Sequence, residues 1–177
     1  MKKLILLFSL LSLFANAQMT TNQMTSLLLK TGDSIPDVTL QTMAGKPFAL
    51  KTDLKNQPAI FIFYRANWCP YCNEHLSDLQ DYEKQFIQLG YKIIAISTEA
   101  TDQLPVTKSK TFVKYTLLSD EKREAIKAFG VENGPIAVPS VFIMDKNGII
   151  RFVHSNPDYK TRLSGAEVLE YAKQAAN

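Results

Sequence analysis

Two short stretches of this chain are apolar almost without interruption. Residues 58–63 (Pro-Ala-Ile-Phe-Ile-Phe) and residues 91–97 (Tyr-Lys-Ile-Ile-Ala-Ile-Ser) are rich in β-branched and aromatic side chains. That pattern predicts central strands covered on both faces. Between them Leu76, Leu79, Phe86 and Leu89 recur at helical steps with one longer gap, predicting a helix with one apolar face that ends at Gly90. Strand, helix, strand in this order implies a crossover and parallel strands.

Further along, Asp120 to Phe129 reads as a second helix, with Ala125, Ile126 and Phe129 inward and Gly130 ending it. Val141–Met144 and Ile149–Val153 flank Asp145-Lys-Asn-Gly148, and the Asn-Gly pair is a strong hairpin signal. Ser164-Gly-Ala-Glu167 is a capping box that opens a last helix to about Ala175. Between Glu99 and Tyr115 the pattern is ambiguous; Pro105 permits a helix only in its first turn. The sum is one α/β domain over residues 32–177.

The N-terminus follows a different plan. Lys2 and Lys3 precede a mostly apolar run, Leu4 to Phe14, and Ala15-Asn16-Ala17 supplies small residues at a cleavage site. This is the layout of a secretory signal peptide, residues 1–17, too short for a membrane span. Residues 18–31 then read as a linker, and the expected location is periplasmic or secreted. Removing Lys2 and Lys3 lowers the formal charge from +3 to +1. Such a balance offers no electrostatic footprint for nucleic acid or an anionic membrane.

The chain has 2 Cys and 2 His, too few for a disulfide scaffold. Both cysteines lie in Trp68-Cys69-Pro70-Tyr71-Cys72, where the first strand gives way to the helix. Three residues are about one helical turn, so the two sulfurs can meet. Pro70 suits the first helical position and leaves Cys69 at the helix N-terminus, where free N–H groups and the dipole favour a thiolate. Cys69 is therefore the expected nucleophile and Cys72 the resolving thiol, in thiol–disulfide exchange that needs no cofactor. A structural disulfide would close too short a loop to stabilise much. A zinc site drawn from Cys69, Cys72, His75 and His154 lacks the usual second pair of closely spaced ligands. His75 reads as a partly exposed helix residue or, less simply, a proton carrier.

Ile60-Phe-Ile-Phe-Tyr-Arg-Ala-Asn-Trp-Cys-Pro-Tyr-Cys72 resembles the active-site strand and helix of the thioredoxin superfamily. Gly32, Pro36, Leu40, Gly45 and Leu50 upstream, and Val138-Pro139-Ser-Val-Phe-Ile-Met-Asp145 downstream, resemble its redoxin (AhpC/TSA) branch. Together with Asp158-Tyr159-Lys-x-Arg162, the likeness is to peroxiredoxin-like proteins carrying a CxxC site. It implies a thioredoxin-like α/β fold, a central mixed sheet flanked by helices with an N-terminal β-hairpin extension. It also implies a cis Pro139 whose backbone, with Val138, receives an extended peptide, and a docking surface shaped by Trp68 and Tyr71.

The chain departs from that branch where peroxide is activated. Ala66 stands where a peroxidatic site usually has Thr, Ile62 where it has Pro, and Pro139 where it has Arg. Arg65, and less directly His75, are the remaining candidates to tune the thiols. The leading expectation is thus an exported thiol:disulfide oxidoreductase with a disulfide or dithiol protein partner. The alternatives are a thiol peroxidase using peroxide plus a reductant, and a redox-inert peptide-binding module.

Overall fold

The computed structural model describes residues 29–176. The expected signal peptide and most of the linker lie outside the described residues.

The run at 58–63 forms β3 (Ala59–Phe63), and every one of its residues is buried. Its period-two alternation divides the core. Ile60 and Ile62 point to one side of the sheet, Phe61 and Phe63 to the other. β3 pairs in parallel with β4 (Lys92–Ser97) and antiparallel with β8 (Ser140–Met144). β8 turns through Asp145–Gly148 into β9 (Ile150–Ser155), where Gly148 takes φ +79°, as a tight Asn-Gly turn requires.

On the other flank, β5 (Thr116–Ser119) lies parallel to β4. It also pairs with β1 (Thr39–Thr42), which forms a hairpin with β2 (Pro47–Ala49). The order is β2-β1-β5-β4-β3-β8-β9, a mixed seven-stranded sheet extended by the expected N-terminal hairpin. β5 was not evident in the sequence. Four residues are too few to show alternation, and adjacent Leu117 and Leu118 are buried on opposite faces.

α2 (Pro70–Asp81), α3 (Glu83–Gln88), α4 (Leu104–Thr111) and α6 (Gly165–Ala176) contribute Leu76, Leu79, Phe86, Leu104, Val168 and Ala172 to the core side of Ile60 and Ile62. The opposite side is closed by α1 (Leu50–Asp53) and α5 (Glu124–Ala128), with Phe129 wedged 4.9 Å from Phe63 and 5.1 Å from Phe142. A small hairpin, β6 (Glu132–Asn133) and β7 (Ile136–Ala137), precedes β8.

The single helix expected up to Gly90 is two helices that break at Tyr82, in the longer gap of the apolar pattern. Here α6 presses against α2. A Cβ at Gly165 would stand 2.4 Å from the Tyr82 ring and 3.0 Å from the Asp78 carbonyl, so glycine is what lets the two helices meet. The ambiguous stretch does hold a helix, α4, with Pro105 in its first turn as the sequence required. No described helix is long and apolar enough to cross a membrane.

Candidate active site

β3 runs into a loop, Tyr64–Trp68, that delivers Cys69 to the N-cap of α2 with an extended backbone (φ −87°, ψ 109°) and Pro70 in the first turn. The Cys69 carbonyl accepts from the N–H groups of Cys72 (3.0 Å) and Asn73 (3.1 Å), which fixes the two cysteines one turn apart. Both are free thiols, and both are buried, Cys69 to 1% exposure.

The loop before Cys69 is held by a residue 32 positions away. Glu99, after β4, accepts from the Asn67 backbone N–H at 2.9 Å and from the Asn67 side chain. Its second oxygen takes Ser97 Oγ (3.1 Å) and Thr107 Oγ1 (3.2 Å). The Asn67 carbonyl in turn accepts from Asn73 Nδ2 and Lys110 Nζ. Nothing local in the chain signals this clamp beyond the polarity of the stretch.

The cation at the sulfurs is Arg162. Its Nη2 lies 3.3 Å from Cys72 Sγ and 4.0 Å from Cys69 Sγ. It reaches in from the loop between β9 and α6, shaped by a turn on Asp158 and by the capping box, in which Ser164 N–H donates to Glu167 and Glu167 N–H to Ser164 Oγ. Among the described residues no carboxylate pairs with Arg162, and its Nε and Nη1 are buried without a hydrogen-bond partner. Arg162 was visible only as part of the resemblance, not as a site residue.

Arg65 is near the sulfurs only through its backbone, whose N–H points at Cys72 Sγ (3.4 Å). Its guanidinium lies between the rings of Trp68 (4.9 Å) and Tyr159 (4.3 Å), and Tyr71 meets Tyr159 edge to face. Trp68 is 57% exposed and Tyr71 borders on exposed, so the two form a rim beside the buried thiols.

His75 is not partly exposed but buried, with neither ring nitrogen hydrogen-bonded. Burial first, then the charge of Arg162, pushes it down to about 4, so it stands neutral and adds no cation at neutral pH. Cys72 is pushed the other way, to about 11. Burial and the adjacent Cys69 thiol outweigh the pull of Arg162 and of the Arg65 N–H. Cys72 is thus held as a thiol.

The expected cis Pro139 is corrected. No cis peptide bond occurs among the described residues, so Pro139, which is buried, follows a trans bond. Trans is the ordinary preference of an X-Pro bond, and here Val138 is tied within the chain. Its N–H donates to the Val131 carbonyl (2.7 Å) and its carbonyl accepts from Ser140 Oγ (2.9 Å).

The model of the AhpC/TSA family matches residues 31–153. The chain belongs to the AhpC/TSA family. Chloroplastic peroxiredoxin Q of Arabidopsis thaliana is 31% identical over 147 residues, covering 81% of this chain and 67% of that one. Chloroplastic peroxiredoxin Q of Sedum lineare is 28% identical over 128 residues, covering 71% and 68%. Among curated relatives the chain spans from about three fifths to two thirds of their lengths. Peroxidoxin BcpB from Mycobacterium tuberculosis superposes with a TM-score of 0.69 at 25% identity, covering 84% of this chain and 94% of that one. AhpC from Enterococcus faecalis, at 18% identity, gives 0.74 over 82% and 91%, a likeness of fold alone. In this AhpC/TSA chain the thioredoxin-like architecture is therefore as expected, and the peroxiredoxin relatives support a thiol-dependent redox function.

Proposed function

We propose that the protein is a thiol peroxidase in which Cys69 reduces a small peroxide and Cys72 resolves the product. The observation that carries this reading is the guanidinium of Arg162 against two buried thiols. The sequence favoured disulfide exchange because the family's Thr and Arg positions hold Ala66 and Pro139. Arg162 supports the reverse ranking, since it brings a cation to the sulfurs from a different loop. Burial of Cys69 favours a small substrate over a bulky disulfide, and the peroxiredoxin relatives point the same way.

The chemistry balances without a cofactor. The Cys69 thiolate attacks one peroxide oxygen. The O–O bond breaks, the leaving oxygen departs as water or an alcohol, and Cys69 becomes a sulfenic acid. Cys72 then attacks the Cys69 sulfur, the S–O bond breaks, water leaves and a disulfide remains. An external dithiol restores both thiols. Preorganised donors aimed at the charge on the leaving oxygen are what accelerate such a step.

Exchange with a protein disulfide is the second reading, favoured by the exposed Trp68 and Tyr71 beside the dithiol. The peptide-binding module has less support, since both backbone groups of Val138 are engaged internally. Turnover with hydrogen peroxide and with a protein disulfide such as insulin, each driven by dithiothreitol, separates the first two readings. Faster turnover of peroxide is expected; faster turnover of insulin would reverse the ranking. The reading also places the protein outside the cytoplasm, supported by the signal-like residues 1–17. Intact mass of protein from its native cell is expected to begin at Gln18, and retention of residues 1–17 would contradict export.

A further inference from the structure

We infer that Arg162 is a catalytic residue chiefly of the second chemical step, in which Cys72 closes the disulfide; this rests on the roles proposed above for the two cysteines. The geometry points there first. Arg162 Nη2 is 3.3 Å from Cys72 Sγ, within hydrogen-bond reach, and 4.0 Å from Cys69 Sγ, at its edge. The loop that carries Arg162 is pinned on both sides, by the Asp158 turn and by the Ser164–Glu167 capping box. The loop backbone is thereby held where the Arg162 guanidinium meets Cys72.

Arg162 also has an unmet demand for an anion. Arg162 is half-buried, but its Nε and Nη1 are shielded and unpartnered and no carboxylate stands within salt-bridge distance, an arrangement that is costly until an anion forms next to it. The sulfur it touches is the one that needs help. Cys72 faces the Cys69 thiol, which favours its neutral form, and the Arg65 N–H and Arg162, which favour the thiolate. His75, on the same helix, stands neutral and offers no charge. Of these groups Arg162 alone carries a full positive charge.

The step is then definite. As the Cys72 sulfur attacks Cys69, its S–H bond breaks and the proton leaves with the departing hydroxyl as water. Arg162 stabilises the thiolate character that develops on Cys72 in between. No outside oxidant is needed, because the sulfenic acid carries the oxidation already supplied by peroxide. Arg162 lies beyond residues 31–153, the span that matches the AhpC/TSA family model, so this contribution comes from outside the matched span.

The test uses one equivalent of 2,2′-dithiodipyridine on the reduced full chain. Attack by Cys69 releases the first thiopyridone; attack by Cys72 on the resulting mixed disulfide releases the second. In Arg162→Met the first phase should slow less than the second, since Nη2 stands 4.0 Å from Cys69 Sγ but 3.3 Å from Cys72 Sγ. The second should slow roughly three- to fourfold for each unit by which the Cys72 thiol becomes less acidic, because lost thiolate is partly offset by higher nucleophilicity. The pH profile of that phase should move upward, and Arg162→Lys should recover part of the loss. A second phase unchanged in Arg162→Met, or both phases slowed equally, would overturn the assignment. If Arg162→Met does not fold, Arg162→Gln makes the same comparison. The assay contains no peroxide, so its outcome is separate from that of the peroxidase reading.

Discussion

Glu99 Oε1 accepts the backbone N–H of Asn67 at 2.9 Å, tying the end of β4 to the loop that delivers Cys69. The same carboxylate takes the hydroxyls of Ser97 and Thr107, so one acidic side chain organises three segments around the strand–helix junction. Position at the helix N-terminus makes Cys69 the candidate nucleophile, but this clamp sets where that terminus begins. Hydrogen bonds to a charged acceptor are worth about 1.5–3 kcal/mol each in favourable settings. Glu99→Ala is therefore expected to cost about 2–4 kcal/mol in urea denaturation and to slow oxidation of Cys69. An unaltered denaturation midpoint would remove the clamp from the account.

His75 gives the fold a sensitivity to acid. Its folded value, about 4, lies below the ordinary 6.5. The unfolded chain therefore binds more protons at this residue, and its contribution is full above about pH 6.5 and lost as pH falls toward 4. The whole effect is of the order of 3 kcal/mol, at about 1.4 kcal/mol per unit. Asp120, raised by burial, acts with the opposite sign at the lower end of the same window. The informative quantity is thus the difference between the native chain and His75→Leu, followed by denaturation from pH 7 to 4. The variant should lose the acid-side decline that His75 contributes; parallel curves would show that His75 is not the group responsible.

The two thiols should behave differently toward an alkylating reagent. Cys72 is held as a thiol to about pH 11, whereas Cys69 caps the helix. Iodoacetamide between pH 7 and 9, followed by peptide mass mapping, should label Cys69 and spare Cys72. In Cys72→Ser, peroxide should leave a sulfenic acid on Cys69 that dimedone traps, since the resolving attack is gone. Equal labelling of both cysteines would undo the division of roles.

Much of the scaffold was legible because it depends on local signals. The unbroken run of β3, the Asn147-Gly148 turn, Pro70 in the first turn of α2 and the Ser164–Glu167 capping box each express themselves within a few residues. What escaped depends on partners far along the chain. Arg162 meets Cys69 and Cys72 across 93 and 90 positions. Arg65, closer in sequence, is drawn instead onto the ring of Tyr159. The burial of His75 is invisible locally because the loop that covers it, at Arg162 and Leu163, comes from the other end of the domain. The four-residue β5 is a strand only because β1 and β4 stand on either side of it.

The most direct test of Cys69 as a peroxidatic thiol uses the chain's only tryptophan, Trp68, which adjoins it in sequence. Stopped-flow fluorescence of the reduced protein against hydrogen peroxide reports the first oxidation step. One preorganised donor is typically worth about 10²–10³ in rate. The account predicts a second-order rate constant at least about a hundredfold above that of free cysteine thiolate, abolished in Cys69→Ser. A constant equal to that of free thiolate, beside rapid exchange with disulfides, would contradict it and return the protein to disulfide chemistry.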